Sequence, residues 1–165
     1  MSENSMSIKD QIHAAEVNLE RLLEWVNRFD NKSLLVLGLN TAMLGALSAF
    51  IIPLYVWSYL IGFFAVLTIA LLGSSLLFSF SSTYPQTEGP SSLLYFETAA
   101  QIGFNEYREA FLKQTDKDYL DDLLNQCHRN SQIFSEKSHR LKCAYLLLIL
   151  SILPWMMTIH LSRFS

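Results

Sequence analysis

Four basic side chains are the best candidates for chemistry in this 165-residue chain, and the chemistry that suits them is the binding of an anion. Lys32, Arg140 and Lys142 stand at the edges of long uncharged stretches, and Arg108 lies in the polar segment between those stretches. A guanidinium matches a phosphate with two parallel N–H groups, and an ammonium adds a mobile positive charge. The competing interpretation is that these cations set membrane topology and contact lipid phosphates.

The sequence contains none of the catalytic motifs that would indicate an enzyme. It contains no Gly-rich phosphate loop, no H-E-x-x-H and no C-x-x-C motif. His128 and His139 lie on roughly one helical face but have no third ligand in sequence, so we predict no metal site. The net charge of −3 contrasts with the strongly basic surface of a nucleic-acid-binding protein. We therefore expect a non-enzyme without catalytic residues, cofactor or nucleic-acid partner.

Uncharged stretches define the elements that must position the four cations. No Asp, Glu, Lys or Arg occurs in residues 33–87 or in residues 143–159. About 20 apolar residues cross a hydrocarbon core of about 30 Å, so the first stretch is long enough for two crossings, with Pro53 at the break. A soluble bundle is disfavoured because these stretches lack a polar face. We predict an all-α membrane protein with three transmembrane helices, at residues 34–52, 56–80 and 143–161.

The charge distribution predicts the orientation. Three crossings leave residues 1–33 and 81–142 on one side of the membrane and a tail, residues 162–165, on the other. Eleven of the 12 Lys and Arg residues lie on the first side, and the positive-inside rule assigns that side to the cytoplasm. We therefore predict a multi-pass protein with a cytoplasmic amino terminus and a tail on the opposite side of the membrane. Four aromatic residues expected at the outer interface agree with this orientation: Tyr55, Trp57, Tyr59 and Trp155.

Helical patterns fill the two cytoplasmic segments. Apolar residues of the first segment alternate at intervals of four and three, the a/d pattern of a heptad repeat: Ile8, Ile12, Ala15, Leu19, Leu22, Val26 and Phe29. This stripe either packs on the other cytoplasmic helix of the same chain or self-associates. In the second segment, Ser, Pro and Gly predict a linker over 81–90, followed by helices over 91–103 and 105–113. We expect one long helix from about Asp116 to near Leu161, continuous with the third span.

Asn40 is the one amide within the predicted spans. A lone amide in lipid is costly, so Asn40 should face protein or water. Small residues around it favour close helix contact, which either joins helices of one chain or lines an oligomeric seam: Gly38, Ala42, Gly45, Ala46 and Ala49. Asp30 and Lys32 mark the point where the first helix enters the membrane. Three cations mark the same point on the long helix: Lys137, Arg140 and Lys142.

Three segments resemble the membrane effectors of Pycsar, the bacterial pyrimidine cyclase system for anti-phage resistance. They are RFDNKSLLVLGLNTAMLG, LLYFETAAQIGFNEYREAFLKQT and LLNQCHRNSQIFSEKSHRLKCAYLLLILSI, and their order and spacing agree with the family over about residues 10–160. The first segment looks like the Asp-x-Lys-small motif that precedes the first span in that family. By resemblance, the residues of this motif region are Asp30, Lys32 and Asn40.

This resemblance implies a function. In the family, a cyclase encoded nearby makes cyclic CMP or cyclic UMP on infection, and the membrane effector damages the inner membrane, which kills the cell before phage mature. We therefore expect an inner-membrane effector that senses a cyclic pyrimidine mononucleotide, forms a homo-oligomer and depends on a pyrimidine nucleotide cyclase. The expected contacts to the messenger are Lys32, Arg108, Arg140 and Lys142. Two rival hypotheses are a membrane scaffold that recruits a partner through its heptad helix, and a constitutive holin-like toxin.

Overall fold

A computed structural model describes residues 6–50, 58–84 and 100–163, and within these ranges the regular secondary structure is helical. Within the described ranges, three helices are long and apolar enough to cross a membrane. This confirms the predicted all-α class with three membrane-crossing helices, including a long last helix that continues through the third span. The elements are α1 (Ile8–Phe50), α2 (Tyr59–Thr83), α3 (Phe104–Lys113) and α4 (Asp116–Arg163).

Two predicted helix starts are confirmed, and the predicted linker needs one correction. α3 and α4 begin within one residue of their predicted starts, at Phe104 and Asp116. The predicted linker is wrong at its beginning, because residues 81–83 form the last turn of α2. Ser81 Oγ donates to the Phe78 carbonyl oxygen at 3.1 Å, so a serine hydroxyl that was taken as a loop signal is satisfied within the helix. Other predictions lie outside the described residues: the turn at Pro53, the aromatic residues Tyr55 and Trp57, the linker over 85–90 and the helix over 91–99.

One repeating interval determines how the helices pack. Buried residues of α2 alternate at intervals of four and three: Ile61, Ala65, Thr68, Leu72, Ser75, Ser79 and Ser82. The stripe of α1 continues beyond Phe29 with the same alternation: Ser33, Val36, Asn40, Met43 and Leu47. In α4 the alternation is unbroken over 13 positions: Leu120, Leu123, Cys127, Asn130, Phe134, Lys137, Leu141, Ala144, Leu148, Ser151, Trp155, Thr158 and Ser162. We call these positions the heptad seam, because a 3.5-residue period keeps one face of a helix turned towards its neighbours.

The chain divides into two compact units. The polar unit comprises Met1–Asn27 and Pro85–Ser135, and the spanning unit comprises Arg28–Tyr84 and Glu136–Ser165. α1 and α4 contribute to both units, since neither helix is interrupted at the boundary.

In the polar unit, α1 packs against α4. The apolar cluster between the two helices consists of Ile12, Ala15, Leu19, Tyr119, Leu120 and Leu123. The Tyr119 hydroxyl donates to the Glu16 carboxylate at 2.9 Å, and this hydrogen bond raises the pKa of Tyr119. Burial raises the pKa of the Cys127 thiol, whose sulfur lies 3.6 Å from the Ala15 carbonyl oxygen. The heptad stripe of α1 therefore packs on the other helix of the same chain, as the first of the two interpretations predicted.

A capping box fixes the start of α4. The Thr115 hydroxyl and backbone N–H both donate to the Asp118 carboxylate, at 2.6 and 3.1 Å, and the Asp118 N–H donates to Thr115 Oγ1 at 3.2 Å. The hydroxyl bond, followed by the N–H bond, lowers the pKa of Asp118. Because folding lowers this pKa, the stabilisation is present above the ordinary pKa of an aspartate and is lost as the pH falls through the lowered value.

In the spanning unit, all three membrane-crossing helices contribute to one core. Its buried residues are Val36 of α1, Leu72 of α2, and Leu141, Ala144 and Leu148 of α4. Five partly buried side chains pack against them: Phe29, Met43, Leu44, Tyr145 and Trp155. Large apolar side chains on the other faces are exposed, as expected for helices surrounded by lipid: Val66, Leu77 and Leu153 are examples.

Truncation of Leu123 tests the packing in the polar unit. Leu123→Ala removes buried methyl groups and leaves a cavity, so we expect the free energy of unfolding to fall by about 2–4 kcal/mol. Leu124→Ala is the matched control, because Leu124 is exposed on the same turn of α4. Thermal unfolding of the full chain in detergent, followed by circular dichroism, measures both variants. Equal losses in the two variants would contradict the packing of α1 on α4.

Candidate functional site

A buried ion pair joins α1 to α4 in the spanning unit. The Lys137 ammonium lies 2.8 Å from Oδ1 and 3.1 Å from Oδ2 of Asp30. The Lys137 side chain is 7% exposed and the Asp30 side chain 32%, so the ammonium is shielded from solvent while the carboxylate is partly solvated. An ammonium at this burial requires an anionic partner, and Asp30 supplies it.

Two further contacts bring the end of α2 to the ion pair. Ser82 Oγ donates to the Lys137 carbonyl oxygen at 3.3 Å and lies 3.2 Å from Ser33 Oγ, which therefore acts as the donor of that second bond. The Arg140 guanidinium donates to the Ser81 carbonyl oxygen at 3.1 Å. α2 has no basic residue in its own last turn, so Arg140 supplies the positive charge that stabilises a helix C-terminus. We call six residues the juxtamembrane layer: Asp30, Ser33, Ser81, Ser82, Lys137 and Arg140.

The heptad seam explains why this layer forms. Ser33, Ser82 and Lys137 all occupy seam positions, where each side chain faces the other two helices. Serine at two of these positions lets the backbones of α1 and α2 approach closely. Asp30 and Arg140 lie three residues from Ser33 and Lys137, respectively, and so share their helix faces.

A second polar layer lies two turns further along α1. Asn40 Nδ2 donates to the Val36 carbonyl oxygen at 3.0 Å and to Ser75 Oγ at 2.9 Å. Ser75 Oγ donates in turn to the Ala144 carbonyl oxygen at 2.8 Å. One chain of hydrogen bonds therefore crosses all three helices. Asn40 is 0% exposed, and its contacts lie within the chain.

The orientation of the Asn40 amide follows from its partners. Ser75 has one hydroxyl hydrogen, which goes to Ala144, so Ser75 must accept from Asn40 and the atom that faces it must be the amide nitrogen. Asn40 Oδ1 then accepts no hydrogen bond from any described residue, although it is buried. An unpaired buried acceptor costs about 1–3 kcal/mol. This layer therefore stabilises the bundle less than a fully paired network would.

Further hydroxyl groups extend the polar character of the interior. Four of them are buried at heptad seam positions and donate to carbonyl oxygens of their own helices at 2.6–2.9 Å: Thr68, Ser79, Ser151 and Thr158. The Trp155 indole N–H donates to the Met43 carbonyl oxygen at 3.0 Å and joins α4 to α1. We call the uncharged polar side chains that are at most 1% exposed the interior polar seam: Ser33, Asn40, Thr68, Ser75, Ser79, Ser82, Ser151 and Thr158.

The predicted anion-binding residues of the spanning unit have different surroundings. Arg140 belongs to the juxtamembrane layer, and its guanidinium lies 3.6 Å from the Glu136 carboxylate in a partly exposed ion pair. Lys32 is exposed, with its ammonium 5.4 Å from the centre of the Phe29 ring. Lys142 is exposed on α4. The three cations are therefore accessible to an anion, but the direct contacts of Arg140 are already to protein groups.

The remaining predicted residues divide between the two units. Arg108 is exposed on α3 in the polar unit, and no residue of that helix is buried. Asp30 and Asn40 both contact other helices of the spanning unit. Sequence reasoning missed the roles of Lys137 and Ser75. The available signal for Lys137 was its place on the heptad seam of α4, where a cation interrupts an otherwise uncharged series.

Replacement of Ser75 tests the second polar layer. Ser75→Ala removes both the bond from Asn40 and the bond to the Ala144 carbonyl oxygen, so we expect the free energy of unfolding to fall by about 1–2 kcal/mol, the size of two hydrogen bonds between spanning helices. Thr41→Ala is the control, since Thr41 is exposed and its hydroxyl bonds only to Leu37 of the same helix. Denaturation of the bicelle-embedded chain with a harsh detergent measures both. A loss as large in Thr41→Ala would show that the layer contributes nothing specific.

Comparison with known proteins identifies one family. The family model described as the Pycsar effector protein domain matches residues 14–162 of the chain. Comparisons with curated proteins and with solved structures gave no match.

Proposed function

Because the chain belongs to the Pycsar effector family, we propose that it senses a cyclic pyrimidine mononucleotide and then impairs the inner membrane of the infected bacterium. Family membership makes the chain an anti-phage effector rather than a cyclase, and its three apolar helices make it a membrane protein. The messenger is cyclic CMP or cyclic UMP from a partner cyclase. The loss of membrane integrity kills the cell before phage mature, which is abortive infection.

The proposed orientation in the membrane puts the messenger-binding segments on the side where the messenger is made. We place the amino terminus and residues 81–142 in the cytoplasm, where a cyclase releases its product, and residues 162–165 in the periplasm. The positive-inside rule supports this arrangement, since 11 of the 12 Lys and Arg residues then face the cytoplasm. The effector acts as a homo-oligomer, because a damaging opening requires more helices than one chain supplies.

Messenger binding is assigned to the cations at the cytoplasmic side of the spans. A cyclic mononucleotide carries one negative charge, so one Arg with one or two Lys residues suffices to neutralise it. Lys32, Arg140 and Lys142 are the contacts in the spanning unit, and Arg108 is the candidate in the polar unit. The exposure of Lys32, Lys142 and Arg108 supports this assignment.

The interior polar seam is the observation that supports membrane impairment. A helix that only anchors a protein needs apolar residues, yet eight uncharged polar side chains of these three helices are at most 1% exposed. In the closed bundle, the hydrogen bonds from Asn40 to Ser75 and from Ser75 to Ala144 take the place of bonds to water. When the messenger favours a state in which the helices separate, the same groups line a path for water. The unpaired Asn40 Oδ1 lowers the cost of that change.

The packing of α1 argues against the scaffold hypothesis. Its heptad stripe contacts Leu120 and Leu123 of the same chain, so the surface that would recruit a partner is occupied. A constitutive holin-like toxin differs from the proposed effector in one respect: it kills on expression, without a messenger.

A leakage assay tests the proposal. Cells that express the chain are supplied with cyclic CMP, cyclic UMP, cyclic AMP or cyclic GMP in turn, and entry of a membrane-impermeant DNA dye is measured. We expect leakage with one or both pyrimidine nucleotides only. Leakage without any nucleotide would favour the holin-like toxin, and no leakage with any of the four would contradict the proposal.

Variants of Arg140 test the assigned contact. Loss of a charged hydrogen bond to phosphate weakens binding by about 10- to 100-fold. Arg140→Gln keeps an N–H group for the Ser81 carbonyl oxygen but has no charge, so we expect leakage to need a correspondingly higher messenger dose at unchanged membrane abundance. Lys113→Gln is the control, because Lys113 is exposed and paired to Glu109 within α3. An unchanged dose response in Arg140→Gln would exclude Arg140 as a contact.

A further inference from the structure

The Lys137–Asp30 pair has features of a ligand site as well as of a structural contact. Lys137 occupies a heptad seam position between Phe134 and Leu141, where a charged side chain must be stripped of water. A buried ion pair recovers little more than the cost of this desolvation, and apolar side chains of similar size often serve stability better. Stability alone therefore does not explain a lysine at this position.

The geometry of the pair matches a phosphodiester. Lys137 Nζ contacts both carboxylate oxygens of Asp30, at 2.8 and 3.1 Å. The two non-bridging oxygens of a phosphodiester also share one negative charge and stand on one central atom. We propose that Lys137 belongs to a binding site for a phosphodiester monoanion, and that the Asp30 carboxylate occupies this site as an internal substitute in the present structure. The proposal rests on the proposed function for the identity of the anion as the messenger.

Exchange of the two anions keeps the buried charge neutralised. Asp30 and a phosphodiester each carry one negative charge, so the Lys137 ammonium is paired before and after the exchange. The Asp30 side chain is 32% exposed, and water therefore takes up the displaced carboxylate at low cost. The phosphodiester needs no preformed cavity in the core, because the exchange occurs on the solvated side of the pair.

Arg140 completes the site. It lies three residues after Lys137 on α4 and therefore on a neighbouring part of the same helix face. Its present partner Glu136 is 3.6 Å away, and both side chains are more than one third exposed, so this ion pair is screened by water and weak. A guanidinium has five N–H groups, so Arg140 can exchange Glu136 for a phosphodiester and still donate to the Ser81 carbonyl oxygen.

Anion binding and helix release are then one event. The Asp30 carboxylate is the charged contact of α1 with α4 in the juxtamembrane layer, while Lys137 and Arg140 both belong to α4. A phosphodiester bound to Lys137 and Arg140 leaves α1 without this contact. Because the phosphodiester binds more tightly to the state in which α1 and α4 are separated, its binding shifts the equilibrium towards that state.

The test uses the full chain in nanodiscs of zwitterionic lipid, with cyclic CMP and cyclic UMP as probes and calorimetry as the measurement. If Asp30 leaves the site free in about one molecule in ten, apparent binding is about tenfold weaker than intrinsic binding. Asp30→Asn should therefore bind the nucleotide about tenfold more tightly in calorimetry and, in the dye-entry assay with cells, cause leakage at a lower dose. Unchanged or weaker binding in Asp30→Asn would overturn the proposal.

A charge exchange separates this role from a structural one. The double variant Asp30→Lys/Lys137→Asp keeps an ion pair between α1 and α4 but removes the cation from α4. We expect normal membrane abundance with loss of nucleotide binding and of leakage. If the double variant binds and leaks as the parent chain does, the pair is purely structural and the inference fails, while the proposed function stands.

Lipid head groups share the phosphodiester chemistry, and a second arm distinguishes them. The unfolding temperature of each variant is compared in nanodiscs with and without phosphatidylglycerol, since a ligand of the folded state raises it. A rise that depends on Lys137, without nucleotide binding in calorimetry, assigns the site to the lipid head group and removes the proposed sensing role. Absence of both responses overturns the site.

Discussion

The hydrocarbon core of a bilayer offers no water to a polar group, so every polar side chain of a spanning helix must find its partner inside the protein. This constraint shapes the spanning unit of the chain. The eight side chains of the interior polar seam lie on the heptad seam of α1, α2 and α4 and turn away from lipid. Their hydrogen bonds, from Asn40 through Ser75 to Ala144, hold the three helices at one register.

Polar packing of this kind suits a protein whose spanning helices must separate. An apolar core without voids resists separation, because every exposed methyl group then meets water. A core of small hydroxyl residues loses less when water enters, since its groups exchange one hydrogen-bond partner for another. The juxtamembrane layer adds a charged contact at one end of this core, where Lys137 and Asp30 join α4 to α1. An anion that competes for Lys137 acts on the contact that holds the helices together.

The sequence predicted the helices better than their contacts, for a physical reason. Uncharged stretches and the positions of Pro53 and Asp116 are local signals, and they gave three spans and the long continuous α4. The choice between intrachain and interchain packing of the α1 stripe depends on distant residues such as Leu120 and Leu123, which no local pattern identifies. Ser81 and Ser82 were assigned to a linker because serine favours loops in water. In the structure, the Ser81 hydroxyl donates to the Phe78 carbonyl oxygen of the same helix, and the Ser82 hydroxyl donates to the Lys137 carbonyl oxygen of α4. Lys137 was visible as a cation, but its partner Asp30 is 107 residues away.

Cysteine accessibility of the interior polar seam tests the central claim most directly. In a chain that carries Cys127→Ala and Cys143→Ala, Ser79→Cys places a thiol at a buried seam position, and Leu77→Cys places one on the exposed face of the same helix. A water-soluble thiol reagent should leave both unlabelled before cyclic CMP or cyclic UMP is supplied, and should label only Ser79→Cys afterwards. If dye enters the cells while Ser79→Cys stays unlabelled, water does not reach the interior of the bundle, and the account is contradicted.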